Sequence, residues 1–198
     1  MPSAKLKTLT HWVFDMDGTL TVGVHDFPAI RRELEIPDGA DILHHLETLP
    51  AAEHDAKHAW LLEHERELAM RSTAATGAVE LVQALCERGC RLGILTRNAK
   101  ELAHITLEAI GLDDCFAADE VLGRDEAPPK PHAGGLDHFI RRWQVAPSQV
   151  VMVGDSPLDL ECGRAAGTRT ILVNVAENHW PALADWHHQD CRQLLAQL

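Results

Sequence analysis

The chain has 198 residues, 45% hydrophobic and 24% charged, enough for one good-sized core with a small inserted module. A formal net charge of −12 argues against nucleic acid or an anionic membrane surface as a partner. The same charge means that any anionic substrate must be drawn in by local positive charge or by a metal ion, and no apolar stretch approaches the roughly 20 residues of a membrane span.

The opening residues, "MPSAKLKTLTHW", carry two lysines and no apolar run of signal-peptide length, and a cytoplasmic location is expected. Trp12-Val13-Phe14 then reads as a short buried strand. Residues 26 to 71 then read almost entirely as helix. "FPAIRRELEI" stops at Pro37, "PDGADILHHLETL" has Asp41 near its start, and "PAAEHDAKHAWLLEHERELAMRS" has Pro50 in its first turn.

After Thr76 the elements alternate. "GAVELVQALCERG" is an amphipathic helix closed by Gly89, and "CRLGILT" is a buried strand ending at Thr96. "NAKELAHITLEAIG" is a helix opened by Asn98 and closed by Gly111. "AGGLDHFIRRWQV" is a helix whose paired glycines begin it weakly, and "QVVMVGD" is a buried strand ending at Asp155. "SPLDLECGRAAG" is a helix with Pro157 in its first turn, "TRTILVNV" is a strand, and a short helix closes the tail. Such alternation predicts an α/β fold, a Rossmann-like parallel sheet with helices on both faces. The helical segment falls outside that layer pattern. It predicts a core of residues 1–20 and 76–198 and a small all-helical domain, 21–75, inserted after the first strand.

Five cysteines without a C-x-x-C pair are expected as reduced thiols. Of thirteen histidines, His54 and His58 lie at i,i+4, but the H-E-x-x-H order is absent and a solvated helix face is expected.

The chemistry gathers at the ends of the strands. Asp15 and Asp17, one residue apart on a strand end, point the same way and repel. In an open parallel sheet, ligands bind beyond the carboxyl ends of the strands. If the strands ending in Asp15/Asp17, Thr96 and Asp155 are neighbours, these groups converge, with Lys130 of "APPKPHAGGL" within reach. Acids clustered so tightly are best explained by a hard cation bound through oxygen, and Mg²⁺ suits a modest ligand number. Gly18 lets backbone N–H groups turn toward an anion, Thr96 offers a hydroxyl ahead of a helix start, and Lys130 supplies positive charge. The set is suited to a phosphoryl group beside a magnesium ion.

Four stretches, "VFDMDGTL", "ILTRN", "PPKP" and "VVMVGDSPLD", spanning Val13 to Asp159, resemble in order the four motifs of the haloacid dehalogenase-like hydrolase superfamily. The helical insertion resembles the cap of its phosphoglycolate phosphatase-like members. The resemblance implies a Mg²⁺-dependent phosphatase acting on a small phosphorylated metabolite, as a monomer or homodimer, without nucleic acid or membrane. It implies Asp15 as the nucleophile that forms an aspartyl-phosphate and Asp17 as the acid/base. Thr96 and Lys130 hold the transferring phosphoryl group, with Gly18 and Arg97 beside them. Asp15, Asp17 through its carbonyl, and Asp155 are the implied metal ligands, and Asp159 reaches the metal through water. A phosphomutase shares every core residue, and a catalytically silent regulatory member is the other alternative.

Three departures bear on the substrate. "DGTL" is followed by Thr21-Val22-Gly23-Val24-His25-Asp26, Arg97 intervenes between Thr96 and Asn98, and the insertion is shorter than the caps of sugar- or glycolate-phosphate members. His25, Arg31 and Arg32 in the insertion and Arg97 in the core are the expected readers of the leaving group.

Overall fold

The computed structural model describes residues 6–23 and 27–198. A parallel sheet of six strands runs through it: β1 (His11–Phe14), β2 (Arg91–Leu95), β3 (Val121–Leu122), β4 (Val150–Gly154), β5 (Arg169–Leu172) and β6 (Trp186–His187). Their order across the sheet is β3-β2-β1-β4-β5-β6, and every pairing is parallel. β1 is therefore central, with β2 on one side and β4 on the other. The chain reverses its direction of travel between β1 and β4, where such sheets open a crevice.

Alternation along β1 divides the core. Trp12 and Phe14 enter one apolar layer, with residues of α4 (Ala78–Glu87), α5 (Lys100–Ala109) and α8 (Cys191–Leu195). Val13 enters the other, with α6 (Gly134–Trp143) and α7 (Pro157–Ala166). Both faces of the sheet are thus covered, which is why β4 reads as an unbroken apolar run rather than an alternating one.

The paired glycines that weaken the start of α6 have a packing role. A Cβ on Gly135 would lie 2.4 Å from a methyl of Leu95, so glycine is what lets α6 approach β2. Two strands carry no sequence pattern of their own, β3 and β6. Each has two residues, too few for an alternation to register.

Among the described residues, the elements between β1 and α4 are three helices: α1 (Phe27–Glu33), α2 (Ile42–Glu47) and α3 (Ala51–Met70). Asp41 caps α2, its carboxylate accepting from His44 N–H at 3.0 Å. The three helices close over an apolar cluster of their own, Ile30, Leu34, Ile36, Leu46 and Leu61. The two ends of the insertion are tied together. Val22 N–H donates to Thr73 O at 3.0 Å and Ala75 N–H to Leu20 O at 2.9 Å, an antiparallel neck on the sheet's carboxyl side.

The five cysteines are free thiols. His54 and His58 stack at 5.4 Å on α3, with His54 Nδ1 beside Asp55. Among the described residues no helix is long and apolar enough to cross a membrane.

Phe139 is fully buried in the second layer, 4.9 Å from the Trp143 ring. Phe139→Ala is expected to cost about 3–5 kcal/mol of unfolding free energy, the usual cost of such a cavity. Urea denaturation measures it, and a loss below about 1 kcal/mol would mean that α6 repacks freely.

Candidate active site

The register of the sheet builds the site. Phe14 stands level with Ile94 of β2 and Val153 of β4, so the residues just beyond these rungs emerge together. Asp15 N–H donates to Val153 O at 2.9 Å and Thr96 N–H to Leu122 O at 3.0 Å, continuing both ladders. Asp15, Thr96 and Asp155 thus leave three neighbouring strands at one end of the sheet.

The turn after β1 is held from several sides. Gly18 adopts φ +79°, and a Cβ there would lie 2.2 Å from Asp155 Oδ2, so glycine is required on both counts. Thr19 Oγ1 donates to Asp155 Oδ1 at 3.3 Å. Asn174, just past β5, donates through Nδ2 to both Gly18 O and Thr19 O at 2.8 Å. No sequence pattern marks Asn174 as part of the site; only its place just beyond the end of β5, the strand beside β4, does.

Lys130 lies at the centre of the charge cluster. Its Nζ is 2.6 Å from Asp15 Oδ1 and 2.6 Å from Asp159 Oδ1, and its side chain is 4% exposed. Asp159 is fully buried, and its other oxygen accepts from Ser156 N–H at 3.1 Å and Ser156 Oγ–H at 2.6 Å. Burial alone would lower the Lys130 pKa, but Asp15 and Asp159 together hold it above the ordinary lysine value. Asp159 therefore serves as counter-ion of the lysine and cap of α7.

Burial pushes the Asp15 carboxyl up to about 7 against the pull of Lys130, with the Asp159 and Asp17 charges adding to the rise. Asp155 is raised as well, again by burial first and by Asp159 second. These acids are held in each other's field. Oxygens of Asp15, Asp155 and Asp159 all lie within 4.8 Å of one another. The donors are carboxylate oxygens only, without nitrogen or sulfur, a set that fits a hard divalent cation of the magnesium type. With Asp159 already engaged by Lys130 and Ser156, Asp15 and Asp155 are the direct ligands this arrangement favours.

Asn98 corrects the sequence reading. It does not open the following helix; α5 begins at Lys100 after Ala99, without a side-chain cap. Its Nδ2 instead donates to Asp17 Oδ2 at 2.6 Å, and its N–H donates to Thr96 Oγ1 at 3.1 Å.

Above the strand ends lies a cavity of about 580 Å³, walled by the core on one side and the insertion on the other. Asp15, Asp17, Gly18, Thr96, Lys130 and Asp155 line its floor, and Arg31 and Arg97 also line it. Arg32, the next residue around α1, is exposed and is not among the lining residues. His25 lies outside the described residues. The structure adds two charged lining residues that the sequence reading did not single out, Arg124 and Glu65. Arg124, just past the two-residue β3, pairs with Glu65 of α3 at 3.4 Å across the cavity. On the opposite rim Arg97 pairs with Asp41 at 3.3 Å.

The sequence profile of the haloacid dehalogenase-like hydrolases matches residues 10–167. A haloacid dehalogenase-like hydrolase domain-containing protein of Arabidopsis thaliana is 33% identical over 85% of this chain and 72% of its own length. A phosphoglycolate phosphatase of Rhodospirillum rubrum is 35% identical over 53% of this chain and 43% of its own length. Among solved structures, a predicted phosphoglycolate phosphatase from Haemophilus somnus superposes with a TM-score of 0.75 at 21% identity, covering 96% of this chain and 97% of its own. Sheet order, strand-end acids and profile agree: the chain belongs to the haloacid dehalogenase-like hydrolases.

Proposed function

We propose that this hydrolase is a Mg²⁺-dependent phosphatase that cleaves a small phosphate monoester through an aspartyl-phosphate on Asp15. The observation that carries this reading is the placement of Asp15, Asp17, Thr96 and Lys130 on the floor of one cavity. Relatives named phosphoglycolate phosphatase support the monoester class, and one named pyrophosphatase supports phosphoryl hydrolysis more broadly. A small phosphorylated metabolite as ligand and a cytoplasmic location belong to the same reading.

In this reading an Asp15 carboxylate oxygen attacks phosphorus, and the bond from phosphorus to the ester oxygen breaks. Asp17 gives that oxygen its proton, so the alcohol leaves neutral. Asp17 then takes a proton from water, whose oxygen attacks the same phosphorus. The Asp15–phosphorus bond breaks, releasing inorganic phosphate and restoring the carboxylate. Asn98, bonded to Asp17 Oδ2, orients the acid/base. Thr96 and Lys130 meet the charge on the transferring oxygens, and Lys130 arrives already fixed by Asp159. Asp15 and Asp155 would hold a magnesium ion, which when bound would further neutralise the phosphoryl charge. The helical insertion closes the roof, which excludes water and faces the leaving group.

Phosphate release from p-nitrophenyl phosphate is expected with Mg²⁺ and lost in excess EDTA; full activity in EDTA would contradict the metal assignment. Asp15→Asn is expected to abolish turnover. Asp17→Asn is expected to lower it by about 10²–10⁴-fold, and an unchanged steady-state rate would remove Asp17 from the acid/base role.

The metal-free protein has a pH signature. The folded-state pKa of Asp15 is raised from 3.8 to about 7, so the folded state holds a proton that the unfolded chain releases. That stabilising proton is fully present below 3.8 and is lost as pH climbs through about 7. In EDTA the melting temperature of wild type is therefore expected to fall relative to that of Asp15→Asn as pH climbs across this interval. A constant difference would show that Asp15 is ionised throughout.

A further inference from the structure

We propose that the substrate's leaving group carries a second anionic group, read by Arg31 and Arg97 from opposite walls of the cavity. The inference rests on the phosphatase reading above and specifies its substrate class. Among the described residues, and away from the acid cluster on the floor, the charged side chains lining the cavity are Arg31, Arg97 and Arg124 against Asp41 and Glu65. One positive charge is left over, inside a protein whose net charge is −12.

The three guanidiniums differ in what they already hold. Arg124 and Glu65 are matched in a pair whose side chains are only 14% and 13% exposed, which ties α3 to the core. Arg97 pairs with Asp41 at 3.3 Å with both side chains 53% exposed, the kind of contact that contributes little and exchanges easily. Arg31 is half-buried, and its Nε donates to Ala40 O at 2.9 Å. Among the described residues no carboxylate pairs with it. A partly buried guanidinium with one neutral acceptor remains short of its counter-charge.

Arg31 and Arg97 also converge. The first bonds the carbonyl of Ala40 and the second the carboxylate of Asp41, adjacent residues leading into α2. Two forks of N–H donors thus flank one turn of chain, one from the insertion and one from the core. Carboxylate and phosphate oxygens match such forks, and an anion placed between them would also bind the insertion to the core. Lys130 and Thr96 meet the transferring phosphoryl group at the strand ends, so this second anion belongs to the other end of the substrate. At about 580 Å³ the cavity has room for both ends.

The test is phosphate release from three esters of equal chain length: 3-phosphooxypropanoate, its neutral amide, and propane-1,3-diol bisphosphate. p-Nitrophenyl phosphate is the reference. For wild type, kcat/KM for the carboxylate or the bisphosphate is expected to exceed that for the amide by at least about tenfold, and the preferred arm identifies the anion. Arg31→Gln and Arg97→Gln are each expected to bring that ratio within about threefold of one, while Arg31→Lys keeps most of it. A wild-type ratio near one, with p-nitrophenyl phosphate still cleaved, overturns the inference and leaves the phosphatase reading standing. So does a common loss on every ester in both glutamine variants. No release from any ester overturns the phosphatase reading, and this inference with it.

Discussion

One buried cation holds the site together. Lys130 sits 2.6 Å from both Asp15 and Asp159, and all three side chains are largely withdrawn from solvent. Removing one partner of a buried pair leaves an uncompensated charge, at a cost of about 3–5 kcal/mol. The arrangement is therefore strongly coupled: Asp159 is fixed by Ser156 at the start of α7, Lys130 by Asp159, and Asp15 by Lys130 and the β4 ladder. The proposed nucleophile inherits its position from a helix cap three contacts away. Second, the cluster holds more negative charge than one lysine can neutralise. Asp155 stands beside it with a raised pKa, which is the electrostatic reason a divalent cation suits the remaining oxygens.

Much of this was legible in the sequence, because the local and global signals agree. Asp15, Thr96 and Asp155 each follow an apolar run, and strand ends in a parallel sheet point to one crevice. The only further condition was that the three strands be neighbours, and β1 indeed lies between β2 and β4. Gly18 was legible as a turn residue, although the crowding by Asp155 that forbids a Cβ was not.

What escaped the sequence has a common cause: it depends on distance between segments far apart in the chain. Asn98 looks like a helix cap because asparagine before a helical run usually is one. Here the amide bonds Asp17, 81 positions away, and the helix starts two residues later at Lys100. Asn174 carries no motif, and its two bonds to the turn after β1 arise only because β5 lies next to β4. Arg124 follows a strand too short to be seen, so nothing placed it on the crevice. Conversely, Arg31 and Arg32 are alike in sequence, and only the rotation of α1 puts the first in the cavity wall and leaves the second in solvent.

The same geometry explains why specificity and chemistry can be separated in this chain. The floor is rigid, being built from ladder hydrogen bonds and buried ion pairs that continue into the sheet. The roof meets the core through an antiparallel neck and through side-chain pairs, Arg97 with Asp41, Arg124 with Glu65 and Arg66 with Glu101. Exposed pairs are weak and screened, whereas the nearly buried Arg124–Glu65 pair is not. The insertion is therefore pinned firmly near α3 and loosely near α2, where Asp41 and Arg97 meet. A ligand anion that competes with Asp41 for Arg97 acts at the loose edge, so it can change the fit of the roof without disturbing the acids of the floor.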